Sequence, residues 1–114
     1  MSDCIFCKIV AGTIPSAKVH EDEHCIAFRD LHPAAPTHVL VVPRKHLATM
    51  NDLAAADAPL AGHLLFTGAQ VAKKLGHADD GYRLVFNTNR DAGQSVFHIH
   101  LHLLAGRALG WPPG

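Results

Sequence analysis

The feature that most constrains this chain is a strict alternation of imidazole and aliphatic side chains in SVFHIHLHLLA, residues 95–105. The histidines are His98, His100 and His102, and the aliphatic residues between and after them are Ile99, Leu101 and Leu103. Successive side chains of a β-strand point to opposite faces, so this period predicts a strand with one polar and one apolar face. We expect the apolar face to pack beneath a helix.

Three interpretations of the imidazole face follow from the residues. A purely structural role requires a partner for every buried ring nitrogen. Alternate histidines can also chelate zinc, and an open coordination position then makes a hydrolytic site. Alternatively, a neutral imidazole can attack phosphorus or carbon and form a covalent intermediate.

The residues before this strand favour phosphate as the ligand. The turn Gly93-Gln94-Ser95 can present successive backbone N–H groups, which form a concavity suited to phosphate. Asn87, at the end of the preceding predicted strand, can add a neutral donor. We therefore expect phosphate binding to depend on amides and imidazoles.

Composition and charge exclude several classes of protein. The chain has 114 residues, which predicts one domain over residues 1–114, and its ten basic and ten acidic side chains balance. Neither nucleic acid nor a membrane surface is therefore an expected partner. The opening Met-Ser-Asp lacks a signal-peptide pattern and no apolar run reaches about 20 residues, so we expect a cytoplasmic protein.

The order of the predicted elements indicates an α+β fold with a largely antiparallel sheet. Strands are predicted over residues 17–22, 24–30, 38–46 and 82–88 and in the histidine segment, and a short helical turn ends near Gly12. A long helix is predicted from about Ala58 to Leu75, with Asp57 as its N-cap, Pro59 in its first turn and Gly76 at its end. Gly62 and Gly68 inside that helix are either tolerated imperfections or points where another helix, from this chain or from a second subunit, approaches closely.

The segment from Gln94 to Leu104 resembles the histidine triad signature, in which three histidines alternate with apolar residues. The resemblance covers nearly the whole chain, since IFCKIVAGTIPSAKV, CIAFRDLHPAAPTHVLVVPRKH and the closing WPPG are similar to the Hint branch of histidine triad nucleotide-binding proteins. It implies a five-stranded, mainly antiparallel sheet with one long and one short helix. It also implies a homodimer that joins two sheets edge to edge into ten strands.

The same resemblance implies a phosphoramidase that cleaves purine nucleoside phosphoramidates and acyl-nucleotides such as aminoacyl-adenylates. Its nucleophile is the middle histidine, His100, which forms a nucleotidyl-histidine and then releases an AMP-like or GMP-like product. His102 contacts phosphate oxygens, His38 supports proton movement, and Ser95 hydrogen-bonds the leaving group. The implied binding residues are Asp30 for the ribose, Asn87, Gly93, Gln94 and Ser95 for the phosphate, Phe6, Ile9, Ile14, Phe28 and Leu31 for the purine, and Trp111 from the second subunit.

The pair Cys4 and Cys7 has the spacing at which two thiolates can share a zinc ion. From the residues alone it could equally be a redox pair or two buried thiols. Resemblance to bacterial Hint-like proteins completes the set with His46 and His98. That implies a closed, structural Cys₂His₂ zinc site and no catalytic metal.

Three other functions remain open from the sequence. The chain could be a nucleotide-binding or protein-binding regulator whose hydrolysis is incidental. It could be a zinc hydrolase that uses the triad as ligands, or a diadenosine polyphosphate hydrolase. The Trp-Pro-Pro-Gly ending disfavours the last of these.

Overall fold

A computed structural model describes residues 3–114, so Met1 and Ser2, on which the signal-peptide expectation partly depends, lie outside the described residues. The elements in chain order are helix α1 (Ile5–Val10), strands β1 (Lys18–Glu21), β2 (Cys25–Arg29) and β3 (Thr37–Pro43), 3-10 turns at Met50–Asp52 and Ala55–Asp57, helix α2 (Ala58–Lys74), strand β4 (Tyr82–Phe86), helix α3 (Asn89–Ala92) and strand β5 (Leu101–Ala105). The predicted α+β class, with five strands and one long helix, is confirmed.

The five strands form one sheet in the order β1-β2-β3-β5-β4, and every neighbouring pair is antiparallel. β3 is the central strand, between β2 and β5, while β1 and β4 are the edges. A central strand covered on both faces is expected to be apolar along its whole length. β3 shows this pattern from Val39 to Pro43, where every residue is apolar and buried, whereas the buried His38 is an exception.

Each face of the sheet has its own apolar core. Helix α2 covers one face, where its Leu64 and Val71 pack with Leu101 and Leu103 of β5. Helix α1 covers the other face through Phe6 and Ile9, which pack with Ile26, Phe28, Leu40 and Val42. The expectation that the aliphatic half of the histidine segment packs beneath the long helix is confirmed. Full burial of each such leucine contributes about 1.5–3 kcal/mol.

The start of α2 differs from the prediction. Asp57 occupies the N-cap position, but its side chain makes no capping hydrogen bond to α2. Its carboxylate instead accepts hydrogen bonds from the backbone N–H of Ala54 and from Nζ of Lys45. The predicted cap is therefore wrong, because Oδ2 accepts from the preceding 3-10 turn and Oδ1 accepts from Lys45. Pro59 does lie in the first turn, and Gly76 follows the helix with φ +88°.

Among the described residues no other helix approaches the two glycines, and approach by a helix of a second subunit stays a prediction. A Cβ atom added at Gly68 would lie 2.7 Å from Cδ2 of Leu101 and 3.1 Å from Cδ2 of Leu84, both in the sheet. At Gly62 no described atom lies within 4 Å of such a Cβ. Gly68 therefore allows α2 to approach its own sheet closely.

The histidine strand is shorter than predicted. Regular strand structure begins only at Leu101, so His98 and His100 precede β5. The N–H of Ile99 donates to the carbonyl oxygen of Leu47 rather than to a strand of the sheet. The alternation nevertheless persists, because Ile99 packs in the core beneath α2.

No helix within residues 3–114 combines the length and the apolar character needed to cross a lipid bilayer.

Candidate active site

The floor of the candidate site is a row of side chains that runs across the sheet. Phe28 of β2 pairs with Leu40 of β3, and Leu40 pairs in turn with His102 of β5. Directly paired residues on neighbouring strands share a face, so these three side chains lie side by side. Antiparallel register thus places an imidazole next to an apolar surface.

This row opens into a cavity of about 450 Å³. Nine of the predicted site residues line the cavity: Phe6, Ile9, Ile14, Phe28, Asp30, Leu31, Ser95, His100 and His102. Apolar residues surround most of it, and the polar groups gather around Asp30, Ser95 and the two histidines. A largely apolar cavity with a few convergent polar groups is the usual form of a small-molecule site.

The hydrogen bonds of His100 determine its tautomer. Its Nδ1 lies 2.8 Å from the backbone carbonyl oxygen of His98. A carbonyl oxygen can only accept, so Nδ1 carries the proton and the neutral ring keeps a lone pair on Nε2. His100 is only 7% exposed, and burial lowers the pKa of its ring, with the carbonyl of His98 partly opposing the shift. The arrangement presents a neutral imidazole with a nucleophilic nitrogen.

A chain of hydrogen bonds fixes the tautomer of His102 as well. The N–H of Ala34 donates to Nδ1 of His38, so the neutral His38 ring carries its proton on Nε2. Nε2 of His38 lies 2.9 Å from Nδ1 of His102 and 3.6 Å from Oδ2 of Asp30. His102 therefore accepts at Nδ1 and has an N–H at Nε2 that can donate to a ligand.

Burial keeps both of these rings neutral near pH 7. It lowers the pKa of His38, and the Asp30 carboxylate only partly offsets that effect. Burial, followed by the neighbouring His100 and His38, lowers the pKa of His102 to about 4. The ring centroids of His100 and His102 are 4.8 Å apart, so a ring with a lone pair on Nε2 and a ring with an N–H on Nε2 lie side by side.

The predicted cradle of three successive amides is wrong for two of its members. The N–H of Gly93 donates to the carbonyl oxygen of Arg90, and the N–H of Gln94 donates to that of Asn89. Both groups close the turn after α3, where Gly93 has φ +81°. Only Ser95 of this turn lines the cavity.

The Gln94 side chain holds the loop together rather than facing a ligand. Its Oε1 accepts from the N–H of Asn89 at 2.8 Å. Its Nε2 donates to the carbonyl oxygens of Ala48 and Val96. All three of these bonds are internal and the residue is 8% exposed, so the side chain stabilises the loop.

The remaining predicted residues lie away from the cavity lining. His38 is buried behind His102, and Asn87 is a half-buried residue that follows β4. Trp111 is 81% exposed, with the guanidinium of Arg83 5.8 Å from its ring. Within a single chain, Trp111 is not part of the cavity wall.

The structure adds cavity residues that the sequence did not reveal. They are Ile5, Pro15, Ser16, Ala17, Arg29, His32, Leu40 and Val96. Leu40 could have been found from its register opposite His102, but that register is a non-local property. The segment from Pro15 to Ala17 carries no chemical signal of its own.

The two cysteines meet two histidines at the amino end of α1. Nδ1 of His98 lies 3.4 Å from Sγ of Cys4 and 3.5 Å from Sγ of Cys7. Nδ1 of His46 lies 3.1 Å from Nδ1 of His98 and 3.3 Å from Sγ of Cys7. The ligand atoms around a tetrahedral zinc ion are separated by roughly 3.3–3.8 Å, so the four groups could hold such an ion. His98 is fully buried, and its Nε2 donates to the carbonyl oxygen of Pro43, which turns Nδ1 toward the thiols.

Comparison with known proteins gives a consistent result. The sequence profile of the HIT domain matches residues 11–109. A curated relative, the purine nucleoside phosphoramidase of Escherichia coli strain K12, is 47% identical over 108 residues, which cover 95% of this chain and 91% of that protein. An uncharacterized HIT-like protein of Synechocystis is 48% identical over 98% of this chain and 97% of its own length.

A solved structure supports the assignment independently. The crystal structure of a HIT family hydrolase from Legionella pneumophila superposes with a TM-score of 0.96 and 51% identity, covering 98% of this chain and all of that one. The profile match spans most of the sequence and includes the cavity wall from Ile14 onward with all three triad histidines. The chain therefore belongs to the HIT domain family.

Proposed function

We propose that this protein is a purine nucleoside phosphoramidase that hydrolyses the P–N bond of nucleoside phosphoramidates. Acyl-nucleotides such as aminoacyl-adenylates are proposed as further substrates. The proposal is supported by homology to the Escherichia coli enzyme of that name and by the polar groups around the cavity.

The observation that carries the proposal is the state of His100. Its Nδ1–H is engaged by the carbonyl of His98, and burial lowers its pKa, so Nε2 is the free nucleophilic nitrogen at neutral pH. Imidazole in this form can attack an electrophilic phosphorus and become a covalent intermediate.

The proposed reaction has two steps. Nε2 of His100 attacks the α-phosphorus, a new N–P bond forms, and the substrate P–N bond breaks as the departing amine takes up a proton. Ser95 is proposed to hydrogen-bond that amine, and the His38–His102 pair to help move the proton. Water then attacks the same phosphorus and gives up a proton, which replaces the one taken up by the amine. The bond to His100 breaks, the neutral imidazole is restored, and a nucleoside monophosphate leaves.

Binding is divided among the other cavity residues. Asp30 is proposed to hold the ribose hydroxyls, and the N–H on Nε2 of His102 to donate to a phosphate oxygen. Donors that face developing negative charge stabilise a phosphoryl transition state. The apolar wall formed by Phe6, Ile9, Ile14, Phe28 and Leu31 is proposed to contact the purine. Asn87 and the Ser95 backbone remain proposed phosphate donors.

The test is to trap the intermediate. The enzyme is quenched early in turnover of an adenosine phosphoramidate, digested, and the modified peptide located by mass spectrometry. We expect an adenylyl group on His100, and in His100→Ala a loss of about a thousandfold or more in kcat with nucleotide binding retained. His77→Ala, outside the cavity, is the matched control. An adduct on another residue, or an active His100→Ala enzyme, would contradict the nucleophile assignment.

The Cys4, Cys7, His46 and His98 cluster is proposed to bind a structural zinc ion. All four protein ligands are provided by the chain, which is the arrangement of a structural rather than a catalytic site. The ion would fix α1, which contains Cys7 and has Cys4 as its N-cap, against the segment that carries His98. The ring of His98 is already oriented for this purpose by Pro43.

Elemental analysis of protein prepared without chelator tests the zinc proposal. We expect about one zinc ion per chain to survive extensive dialysis in the wild type and in His32→Ala. In His46→Ala, which removes one exposed ligand, we expect that ion to be lost and the thermal midpoint to fall. Zinc below a tenth of an equivalent in the wild type would argue against the site.

We also propose the homodimer implied by the family resemblance. Leu65 and Phe66 of α2, Tyr82 of β4 and Trp111 are large apolar residues that are exposed in the single chain. β4 is an edge strand, and pairing of such an edge protects its backbone groups. Light scattering at micromolar concentration should give twice the chain mass, and a monomer would refute this assembly.

A further inference from the structure

A second cluster of potential ligands lies at the turn between β1 and β2. Nε2 of His20 lies 2.7 Å from Oδ2 of Asp22, and Nε2 of His63 lies 2.9 Å from the same oxygen. His20 belongs to β1, whereas His63 belongs to α2, so the fold brings together residues 41 positions apart. None of these residues lines the cavity or belongs to the cysteine cluster.

The carboxylate of Asp22 is held rigidly. Its other oxygen, Oδ1, accepts hydrogen bonds from the backbone N–H groups of His24 and Cys25 at 2.7 and 2.9 Å. Arg44 donates from Nε to the backbone carbonyl of Asp22, which fixes the main chain of the turn. The oxygen that faces the histidines is therefore positioned by bonds that do not involve the histidines.

The composition of the cluster matches the ligands of borderline divalent metal ions. Two imidazoles and one carboxylate form a common facial set for zinc, nickel or iron, with the remaining positions filled by water. The thiol of Cys25 lies 3.6 Å from Oδ2 of Asp22 on the buried side. On the outer side the three ligand side chains are 25% to 33% exposed, so an ion can enter from solvent.

One imidazole would be enough to give Oδ2 of Asp22 a hydrogen-bond partner. Hydrogen bonding alone therefore does not explain why two imidazoles contact this oxygen. Without metal, each Nε2–H donates to Oδ2 of Asp22. With metal, the proton of each neutral ring moves to Nδ1, and the lone pair on Nε2 faces the ion. The exchange needs no oxidant or reductant, and it releases a proton to solvent only from a ring that was protonated.

We propose that His20, Asp22 and His63 form a second metal site that binds a divalent ion of the zinc and nickel class. It lies on the opposite side of the sheet from the candidate active site, because His63 projects from α2 whereas the cavity is covered by α1. The site is thus independent of the proposed phosphoramidase activity and of the proposed Cys₂His₂ zinc.

The experiment is a calorimetric titration of Ni²⁺ into untagged protein that retains the metal it was purified with. We expect one additional equivalent to bind in the wild type. His20→Ala, His63→Ala and Asp22→Asn should each weaken this binding by about tenfold or more. Asp22→Asn keeps the Oδ1 acceptor for the turn, so it separates loss of charge from loss of the fold.

The matched control is His24→Ala. His24 lies in the same turn and its ring contacts that of His63, but its Nε2 faces Glu23 rather than Asp22. Nickel affinity should be unchanged in this variant. As a second measurement, paramagnetic broadening of amide resonances by Ni²⁺ should be strongest around residues 20–25 and 63.

Two results would overturn the proposal. One is the absence of any additional equivalent of bound nickel in the wild type. The other is equal nickel affinity in the wild type, His20→Ala and His63→Ala, with broadening centred elsewhere on the chain. Loss of phosphoramidase activity is not a readout here, so failure of the proposed function would leave this test intact.

Discussion

Nδ1 of His100 lies 2.8 Å from the backbone carbonyl oxygen of His98, while the ring of His98 faces the thiols of Cys4 and Cys7. A single residue therefore joins the cavity to the cysteine cluster, through its carbonyl on one side and its ring on the other. The tautomer of His100 depends on that carbonyl.

The buried histidines should make stability depend on pH. The pKa of His102 is lowered to about 4 and that of His38 is also lowered, both mainly by burial. At pH values between the pKa of the unfolded state, about 6.5, and the lower pKa of the folded state, the histidine binds a proton in the unfolded state and not in the folded state. The free energy of unfolding should therefore fall as pH decreases, by about 1–2 kcal/mol from His102 between pH 6.5 and 5.

Urea unfolding of the wild type and His102→Asn at both pH values measures this contribution. The variant should lose less stability on acidification than the wild type does. The window stays above the ordinary pKa range of aspartate, so the carboxylates contribute little to the difference. An equal loss in the two proteins would show that His102 titrates normally in the folded state.

Asp30 should affect the substrate through the ribose hydroxyls. The side chain lines the cavity, and its Oδ1 is positioned by the N–H of His32 at 2.8 Å. A hydrogen bond to a charged group contributes about 1.5–3 kcal/mol, so kcat/KM of the wild type should be about tenfold to a hundredfold lower for a 2′-deoxy substrate.

In Asp30→Asn the decrease in kcat/KM on changing to the 2′-deoxy substrate should be smaller. The hydrogen bond that the deoxy substrate cannot make is already weaker in this variant. Asp91→Asn is the control, because Asp91 is a carboxylate of α3 whose side chain is 90% exposed, and this variant should keep the full penalty. A deoxy penalty that is the same size in Asp30→Asn and in the wild type would place the ribose elsewhere.

Gln94→Ala should destabilise the protein more than it weakens substrate binding. The change removes bonds to Asn89, Ala48 and Val96, and each buried group left without a partner costs about 1–3 kcal/mol. Thermal unfolding should show a clear loss of stability relative to Gln70→Ala, an exposed glutamine on α2. A raised KM with unchanged stability would restore Gln94 as a substrate ligand.

The two helix glycines should respond to alanine in opposite directions. At Gly62, with open space around the added methyl group, better helix propensity should stabilise the protein by up to about 1 kcal/mol. At Gly68 the new Cβ meets Leu101 and Leu84, and overpacking costs about 1–3 kcal/mol, which outweighs that gain. Urea unfolding at one protein concentration should rank Gly62→Ala above Gly68→Ala, and the reverse order would contradict the close approach.

Local patterns in the sequence predicted most of the fold. Alternation of apolar residues identified the strands, and the aliphatic half of the histidine segment does pack beneath α2. Features that depend on distant partners were harder to predict. The start of β5 depends on Leu47, whose carbonyl oxygen accepts a hydrogen bond from the N–H of Ile99. No local pattern in the sequence reveals that partner.

The candidate site shows the same division between local and non-local information. The resemblance named most of the cavity residues, including Phe6, Phe28 and Asp30. It failed at Gly93 and Gln94, because the turn uses their amides internally. Leu40 was missed since its place in the cavity depends on register with β5, and the His20–Asp22–His63 cluster was missed because a helix and a turn meet only in three dimensions.

Helix α1 has only six residues, yet it borders both the cavity and the cysteine cluster. Phe6 and Ile9 line the cavity, while Cys4 and Cys7 face the two histidines. A shift of this one helical turn would therefore move the aromatic wall and the sulfur atoms together. Loss of the thiol contacts should be felt at the cavity, and a change in the packing of Phe6 or Ile9 should be felt at the cysteine cluster.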